Sequence, residues 1–476
     1  MKNNNLLFVL CLIIFSISHM FAQGEVVKKI DQYISQVKKE NNIPGVSVCI
    51  VKDDAIFYKK HFGLASIEHD VPLSEQSIFR VYSLTKTVIS VAIFQLIEKG
   101  KLSLEDPISK YISGVPTSWK SLQIKYLLTH SSGLPDMRVF GSNKQLTEEK
   151  AKEKAFKEEF TFAKGDKYSY NQTNFWLLHR IIEKITNKKL EDFIRENQFE
   201  GEKDNVFFSS DSKLIIKNRV TSYFPFSTGK MIIDLPTIEG DYMYAANGLN
   251  ITLNEFVKWD KRLRNNELLK ESTKLKMWEE FPYQKSNKIF TYAWDKFFLN
   301  YHESYGFTGS LITAYRIFPK DNISVFILSN GLGEIYDIDD VVDHVANIVN
   351  GDIYNVQEPT FNTLHTIVLN QGFEKFKKKY FKIKNGSQSR ELDLEDVVNS
   401  LGYTLLRSQK NKEALKMFTF NTEEYPNSAN VYDSLGEIYL MQKQYDLAEE
   451  NYKKAIALGG TNGNAKEMLE KIKAKK

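Results

Sequence analysis

The sequence predicts an α+β domain, an antiparallel sheet flanked by helices, followed by an all-α domain. Paired β-strand patterns stand at both ends of a segment, about residues 24–352, that is otherwise largely helical, so its two ends are expected to meet in one sheet. Beyond residue 359 the pattern changes to amphipathic helices that match one another 34 residues apart. At 476 residues the chain is long for one domain, and its 42% apolar content is ample for packed cores.

The first residues, MKNNNLLFVLCLIIFSISHMFAQGE, combine Lys2, an apolar run from Leu6 to about Ile17 and the small residue Ala22 before a polar start. That is the layout of a secretory signal peptide (1–23), with cleavage near Ala22 or Gln23 and export to the periplasm or the medium. The run is short for a stable membrane span. Leu10 is bulkier than the residue that usually precedes a lipoprotein cysteine, which argues against Cys11 as a lipid site. Cleavage leaves Cys49 in VSVCIVK, a single thiol that cannot close an internal disulfide and reads as a small core hydrophobe. The eight histidines show no ligand spacing, so no metal or other cofactor is expected, and a net charge of +4 with no basic block makes nucleic acid a poor partner.

Val27, Ile30, Ile34 and Val37 recur at helical spacing, and Pro44-Gly45 ends that element. GVSVCIVKDD and AIFYKKHFG read as a hairpin around Asp53-Asp54. A helix follows in which Val88, Ile89, Ala92, Ile93, Leu96 and Ile97 form one face and Gly100 is the stop. TAYRIFPKD and ISVFILSNG read as a second hairpin turning at Pro319 to Asn322.

In the C-terminal part Leu401 matches Leu435, Gly402 matches Gly436, Ala414 matches Ala448 and Phe418 matches Tyr452. This is the tetratricopeptide pattern, with its L-G pair, its alanine on the second helix and Pro426 closing a repeat. The repeats fall at about 395–428 and 429–462 within a helical domain over 359–476, the seam lying near Asn350 to Pro359. Two repeats are fewer than usually stand alone, so LHTIVLNQGFEKFKKKYF and AKEMLEKIKAK are expected to complete the stack. The basic runs are read as solvated helix faces, and the concave face as a site for a protein or peptide partner.

Ser83-Leu84-Thr85-Lys86 offers a nucleophile and a cation one helical turn apart. The same spacing recurs at Ser35/Lys38, Ser210/Lys213 and Ser227/Lys230, so spacing alone does not single it out. Its setting does: an apolar approach, then a long helix whose free N–H groups favour charge developing on a substrate oxygen.

The segment HFGLASIEHDVPLSEQSIFRVYSLTKTVISVAIFQLIEKGKLSLEDPISKYI, with IKYLLTHSSGLPD and AANGLNITLNEFVKWDKRL, resembles the serine beta-lactamase-like family over about residues 25–350. That family holds class C β-lactamases, DD-peptidases and esterases. The resemblance implies a beta-lactamase/transpeptidase-like fold with a helical subdomain, Ser83 as the acylated nucleophile and Lys86 as its partner. The family's Tyr-x-Asn motif falls on Tyr170, with Gln172 in place of the asparagine. A phenol titrates near 10, so a base role for Tyr170 needs a cation close by, and either Lys86 or Tyr170 takes the proton. The third motif, Lys-Thr-Gly or His-x-Gly, falls on Phe307-Thr308-Gly309. Gln172, Phe307, Thr308 and Gly309 are the implied substrate-binding residues, and the backbone N–H groups of Ser83 and Ser310 the implied oxyanion hole. His130 reads as structural, and His302 and Tyr305 stand near enough in sequence to replace the missing cation.

A hydrogen bond to a charged group contributes roughly 1.5–3 kcal/mol, about tenfold to more than a hundredfold in affinity. Loss of the cation at 307 therefore weakens substrates anchored by a carboxylate and spares neutral esters and amides. The resemblance implies an exported serine hydrolase acting on a small ester, amide or peptide through an acyl-enzyme. A peptidoglycan DD-peptidase or weak β-lactamase is the alternative within the family. A ligand-binding protein that has lost catalysis and recruits partners through its repeats is the alternative outside it.

Overall fold

Alternating apolar positions at both ends of the first segment build a seven-stranded antiparallel sheet. In chain order its strands are β1 (Gly45–Lys52), β2 (Ala55–Ser66), β3 (Val71–Pro72), β9 (Asp295–Leu299), β10 (His302–Gly309), β11 (Thr313–Phe318) and β12 (Ile323–Ser329). Their order across the sheet is β3-β2-β1-β12-β11-β10-β9, so the expected meeting of the two ends is the antiparallel pairing of β1 with β12. Asp53 and Asp54 both have left-handed φ, 50° and 62°, the geometry of a tight hairpin turn between β1 and β2. A smaller sheet, β4 (Ile78–Arg80), β8 (Leu249–Thr252) and β5 (Val206–Phe208), and a hairpin of β6 (Tyr223–Pro225) and β7 (Met231–Ile233) complete the strands.

The computed structural model of the chain describes residues 23–137, 147–200, 205–211, 214–225, 231–233, 240–332, 337–353, 361–385, 393–407, 410–459 and 464–473. The leader expected over 1–23 lies outside them apart from Gln23, as do most of the expected seam and Lys213 and Ser227/Lys230 of the other S-x-x-K matches.

Residue alternation sends the sheet's side chains into two cores. Val46, Val48, Ile50, Val325 and Ile327 pack with Ile30 and Ile34 of α1 (residues 23–40) and with Val341 and Val345 of α10 (Ile338–Val349). Cys49, Val51, Tyr315, Phe326 and Leu328 face a second core. Its helices are α2 (Thr85–Glu98), α3 (Ile124–Leu128), α4 (Glu148–Lys157), α5 (Gln172–Thr186), α6 (Leu190–Gln198), α7 (Tyr244–Asn247), α8 (Leu253–Arg264) and α9 (Glu271–Met277). One expectation is corrected here: α2 does not bury a single face but every residue from Thr85 to Leu96. Helices and sheet surround it, and polar side chains on it bond to the surrounding backbone, Ser90 donating to the Tyr292 carbonyl and Gln95 Nε2 to that of Leu268.

The C-terminal part is helical as expected: α11 (Phe361–Gln371), α12 (Phe373–Lys384), α13 (Leu394–Arg407), α14 (Asn411–Glu424), α15 (Ala429–Met441), α16 (Tyr445–Ala457) and α17 (Asn464–Lys473). A Cβ on Gly402 would sit 2.7 Å from the Phe418 ring, and one on Gly436 would sit 3.1 Å from the Tyr452 ring. The same small-against-aromatic contact thus occurs twice, 34 residues apart, and lets each helix pair approach closely. Among the described residues no helix is long and apolar enough to cross a membrane.

Arg316, on β11, is 1% exposed and donates to Asp339 and Asp343 of α10, with its guanidinium 3.6 Å from the centre of the Phe297 ring. Burial pushes the Asp343 carboxyl up to about 7 while Arg316 pulls it down. Removing one partner of a buried ion pair strands the other charge, so Arg316→Ala is expected to cost about 3–5 kcal/mol. Urea unfolding of the purified protein checks this; a loss below about 1 kcal/mol contradicts it.

Candidate active site

The approach to α2 is a forced turn. β4 runs into Val81, fully buried, and then into Tyr82, whose φ of 48° is one that a bulky aromatic adopts only under constraint. The constraint is visible: the Tyr82 hydroxyl donates to Ser222 Oγ at 2.9 Å, and the Arg80 guanidinium lies 4.7 Å from the Tyr82 ring centre. Arg80 is itself held by the Asn247 carbonyl and side-chain oxygens. The turn pushes Ser83 outward. From Ser77 to Leu96, Ser83 is the one residue that is not buried.

Three residues expected from the sequence converge there. Tyr170 OH is hydrogen-bonded to Ser83 Oγ at 2.8 Å, and Lys86 Nζ lies 3.5 Å from the same oxygen. Lys86, 0% exposed, also donates to the Ala246 carbonyl at 2.7 Å, and its ammonium lies 4.8 Å and 5.0 Å from the Tyr170 and Phe175 ring centres. A buried cation is stabilised by such carbonyl and ring partners. The Ala246 carbonyl had no distinct signal in the sequence, because a backbone oxygen carries no residue type.

β10 closes the other side. A Cβ on Gly309 would collide with the Val81 carbonyl and reach within 3.1 Å of Tyr82 Cβ, so only glycine permits this approach. Thr313 Oγ1 donates to the Val81 carbonyl at 3.1 Å and pins the two segments together. Ser310 and Ser83, each one residue beyond this contact, therefore stand at one edge of the site. Ser310 has a φ of 53° and begins the turn from β10 to β11.

Phe307 does more than omit a cation. Its ring stacks on that of Tyr170, with centroids 6.2 Å apart at 24°, and meets Phe290 edge-on at 6.2 Å. Thr308 follows it, half-buried. Neither residue expected to replace the cation does so. His302 bonds Asp321 at 2.9 Å, five residues and about 16 Å along the strand from Phe307. Tyr305 stacks on Trp278 at 4.5 Å, and its hydroxyl turns to Glu303.

Asn171, between the two motif residues, caps α5 by accepting from the Thr173 N–H. Gln172, the first residue of α5, is 4% exposed, and its Oε1 has no hydrogen-bond partner among the described residues. A buried acceptor left in this way suits a donor brought by a ligand.

His130 is structural, as expected. It is 0% exposed, its Nδ1 accepts from the Asn171 N–H at 3.1 Å, and its ring centre is 4.5 Å from that of Tyr170. An accepting Nδ1 leaves the proton on Nε2. Burial, and then the nearby Lys86 charge, hold this imidazole well below its usual range, so it stays neutral.

The family model described as Beta-lactamase matches residues 30–347. Protein flp of Staphylococcus aureus (strain MW2) is 26% identical over 179 residues, which is 36% of this chain and 36% of that protein. Penicillin-binding protein 4* of Bacillus subtilis (strain 168) is 31% identical over 151 residues, 30% of this chain and 33% of that one. The chain thus spans about a third of the length of these relatives. Among solved structures, the octameric penicillin-binding protein homologue from Pyrococcus abyssi superposes with a TM-score of 0.62 at 23% identity, over 72% of this chain and 81% of that one. The D-amino acid amidase from Ochrobactrum anthropi SV3 does so with a TM-score of 0.58 at 18% identity, over 69% and 99%. At these identities the structural likeness bears on the fold alone.

Two outcomes are expected of this arrangement. The His130 ring resonances should not move between pH 5.5 and 8 in an NMR titration; a midpoint in that range contradicts the buried neutral ring. Gly309→Ala should destabilise by at least about 1–3 kcal/mol through overpacking against Val81, read as a lowered urea midpoint; an unchanged midpoint contradicts the close approach.

Proposed function

The chain belongs to the beta-lactamase family, and from that premise we propose that it is an exported serine hydrolase that cleaves esters or amides through an acyl-enzyme on Ser83. The observation that carries the reading is the convergence of Tyr170 OH at 2.8 Å and Lys86 Nζ at 3.5 Å on Ser83, the one residue of the turn that is not buried.

A serine hydroxyl is a weak nucleophile until its proton is taken. Tyr170 is the nearer base once it is a phenolate, the form that the adjacent Lys86 ammonium favours, and it becomes the neutral phenol on taking the proton. Ser83 Oγ bonds to the substrate carbonyl carbon, and the proton moves to Tyr170. The oxyanion is met by the N–H groups of Ser83 and Ser310, and the leaving oxygen or nitrogen departs with the proton as its bond to carbon breaks. Water then repeats the sequence on the acyl-enzyme, releasing the acid and free Ser83.

Phe307 supports a neutral acyl group in place of a carboxylate anchor, since an aromatic ring occupies the position where the resemblance calls for a cation. The unpartnered Gln172 Oε1 supports a substrate that brings an N–H. Phe307 disfavours efficient β-lactamase action, while the amide chemistry in the name of the structurally similar D-amino acid amidase is in keeping with the proposal. A binding protein without catalysis is disfavoured because Ser83, Lys86 and Tyr170 are all in place.

Ser83→Ala is expected to lower turnover of 4-nitrophenyl acetate by about 10³-fold or more; undiminished activity in the folded variant would rule the assignment out. Phe307→Lys should raise kcat/KM for a carboxylate-bearing aryl ester about tenfold relative to its methyl ester. An unchanged ratio would mean that residue 307 does not set this preference.

A further inference from the structure

Lys86 leans on a carbonyl that its own helix does little to hold. Ala246 and Asn247 end α7, a single turn from Tyr244 to Asn247. So short a helix has too few internal hydrogen bonds to fix its last peptide unit. The Ala246 carbonyl nevertheless meets the Lys86 ammonium at 2.7 Å.

What fixes it comes from β4. Arg80 Nε donates to the Asn247 carbonyl at 3.2 Å, and Arg80 Nη2 donates to Asn247 Oδ1 at 3.0 Å. An arginine presents only donors, so the asparagine oxygen faces it, and Ser210 Oγ donates to that same oxygen at 2.7 Å. Two points of a rigid planar fork set both the place and the rotation of the residue they grip. Asn247 shares a peptide plane with the Ala246 carbonyl, so a grip on Asn247 also governs where that carbonyl points.

The far end of the same stretch is tied to the turn that carries Ser83. Leu249 N–H donates to Thr85 Oγ1 at 3.0 Å, and Val81 N–H donates to the Leu249 carbonyl at 2.9 Å. Arg80 is 8% exposed, and its guanidinium also lies 4.7 Å from the ring centre of Tyr82, the strained residue before Ser83. One side chain therefore touches both the residue that leads into the nucleophile and the residue that orients the carbonyl behind Lys86. Packing of the small sheet alone would ask only for a long side chain at 80; the two-point bond to Asn247 asks for an arginine.

We propose that Arg80 is a positioning residue that acts through Asn247 to aim the Ala246 carbonyl at Lys86, and so keeps the ammonium beside Ser83 Oγ and Tyr170. The proposal rests on the serine-hydrolase reading for its effect on rate, while the hold on Lys86 can be tested without turnover. When the hold slackens, the cation withdraws and the Tyr170 phenolate is less favoured, so Tyr170 gives up its proton at a higher pH. The groups nearby do not obscure this. His130 is held neutral and Tyr168 well above its ordinary range, each chiefly by burial, and Lys288, beyond Tyr168, is paired with Asp295 at 3.1 Å.

The test compares the full chain with Arg80→Met, which removes the fork, Arg80→Lys, which keeps a charge but cannot span both oxygens, and Asn247→Ala, which removes one of the two grips and no charge. In a Ser83→Ala background, the Tyr170 ring carbon that bears the hydroxyl is followed by NMR between pH 6 and 10, assigned by its loss in Tyr170→Phe. Each change is expected to move the Tyr170 titration up by about one pH unit. With Ser83 intact, the rising limb of kcat/KM for 4-nitrophenyl acetate should move in the same direction. Below that limb, one unit lowers the phenolate fraction, and with it kcat/KM per fluorophosphonate-labelled site, about tenfold. A role in stability alone would lower the labelled fraction and leave the limb in place. Should Arg80→Met fail to fold, Asn247→Ala decides. Indistinguishable Tyr170 titrations overturn the proposal, as does a shift in Arg80→Met that is absent from both Arg80→Lys and Asn247→Ala, because Arg80 would then act by charge alone. Absence of Ser83-dependent turnover alongside shifted titrations counts against the hydrolase reading and leaves the hold on Lys86 standing.

Discussion

The close approach of Gly309 to Val81 and Tyr82 is the contact on which the site depends. It joins two segments far apart in sequence, and it is possible only because the sheet closes β1 on β12 and carries β10 to the turn before α2. Val81 cannot move outward because β10 is against its carbonyl, so the chain escapes through the left-handed conformation of Tyr82 and leaves Ser83 half-buried between buried neighbours. The same contact sets Ser310 beside Ser83. Strain at Tyr82 is of a size, about 1–3 kcal/mol, that surrounding packing can hold, and α2, buried on every side, is the packing that holds it.

Around that turn the electrostatics are arranged by exclusion. Lys86 is fully buried and steadied by a backbone carbonyl and two aromatic rings. His130 sits close by, but burial and the same cation keep it neutral, and its Nδ1 is engaged by Asn171. Its contribution is positional: with Phe307 it walls in the ring of Tyr170 and limits where the phenol oxygen can point. Among the described residues Lys86 is therefore the cation that acts on the Ser83–Tyr170 pair.

Much of this was legible in the chain because it depends on local order. The hairpins at Asp53-Asp54 and Pro319 to Asn322, the start of α2 at an S-x-x-K and the 34-residue match of Gly402 with Gly436 all follow from residues close together in sequence. Contacts between distant segments were not. Nothing near Phe307 announces that it stacks on Tyr170, so it read only as a lost cation. His302 and Tyr305 were near Phe307 in sequence, but they follow the strand away from the site, towards Asp321 and Trp278. The burial of α2 on all faces was likewise hidden, since its partners come from α5, α7 and α9.

The central claim is that Ser83 is the nucleophile activated in this turn. The most direct measurement is intact-protein mass spectrometry after treatment of the folded full chain with a fluorophosphonate, followed by peptide mapping. One adduct per chain, on Ser83 and absent after unfolding or in Ser83→Ala, is the predicted result. No adduct on folded protein, or an adduct at another serine that persists in Ser83→Ala, would contradict the account.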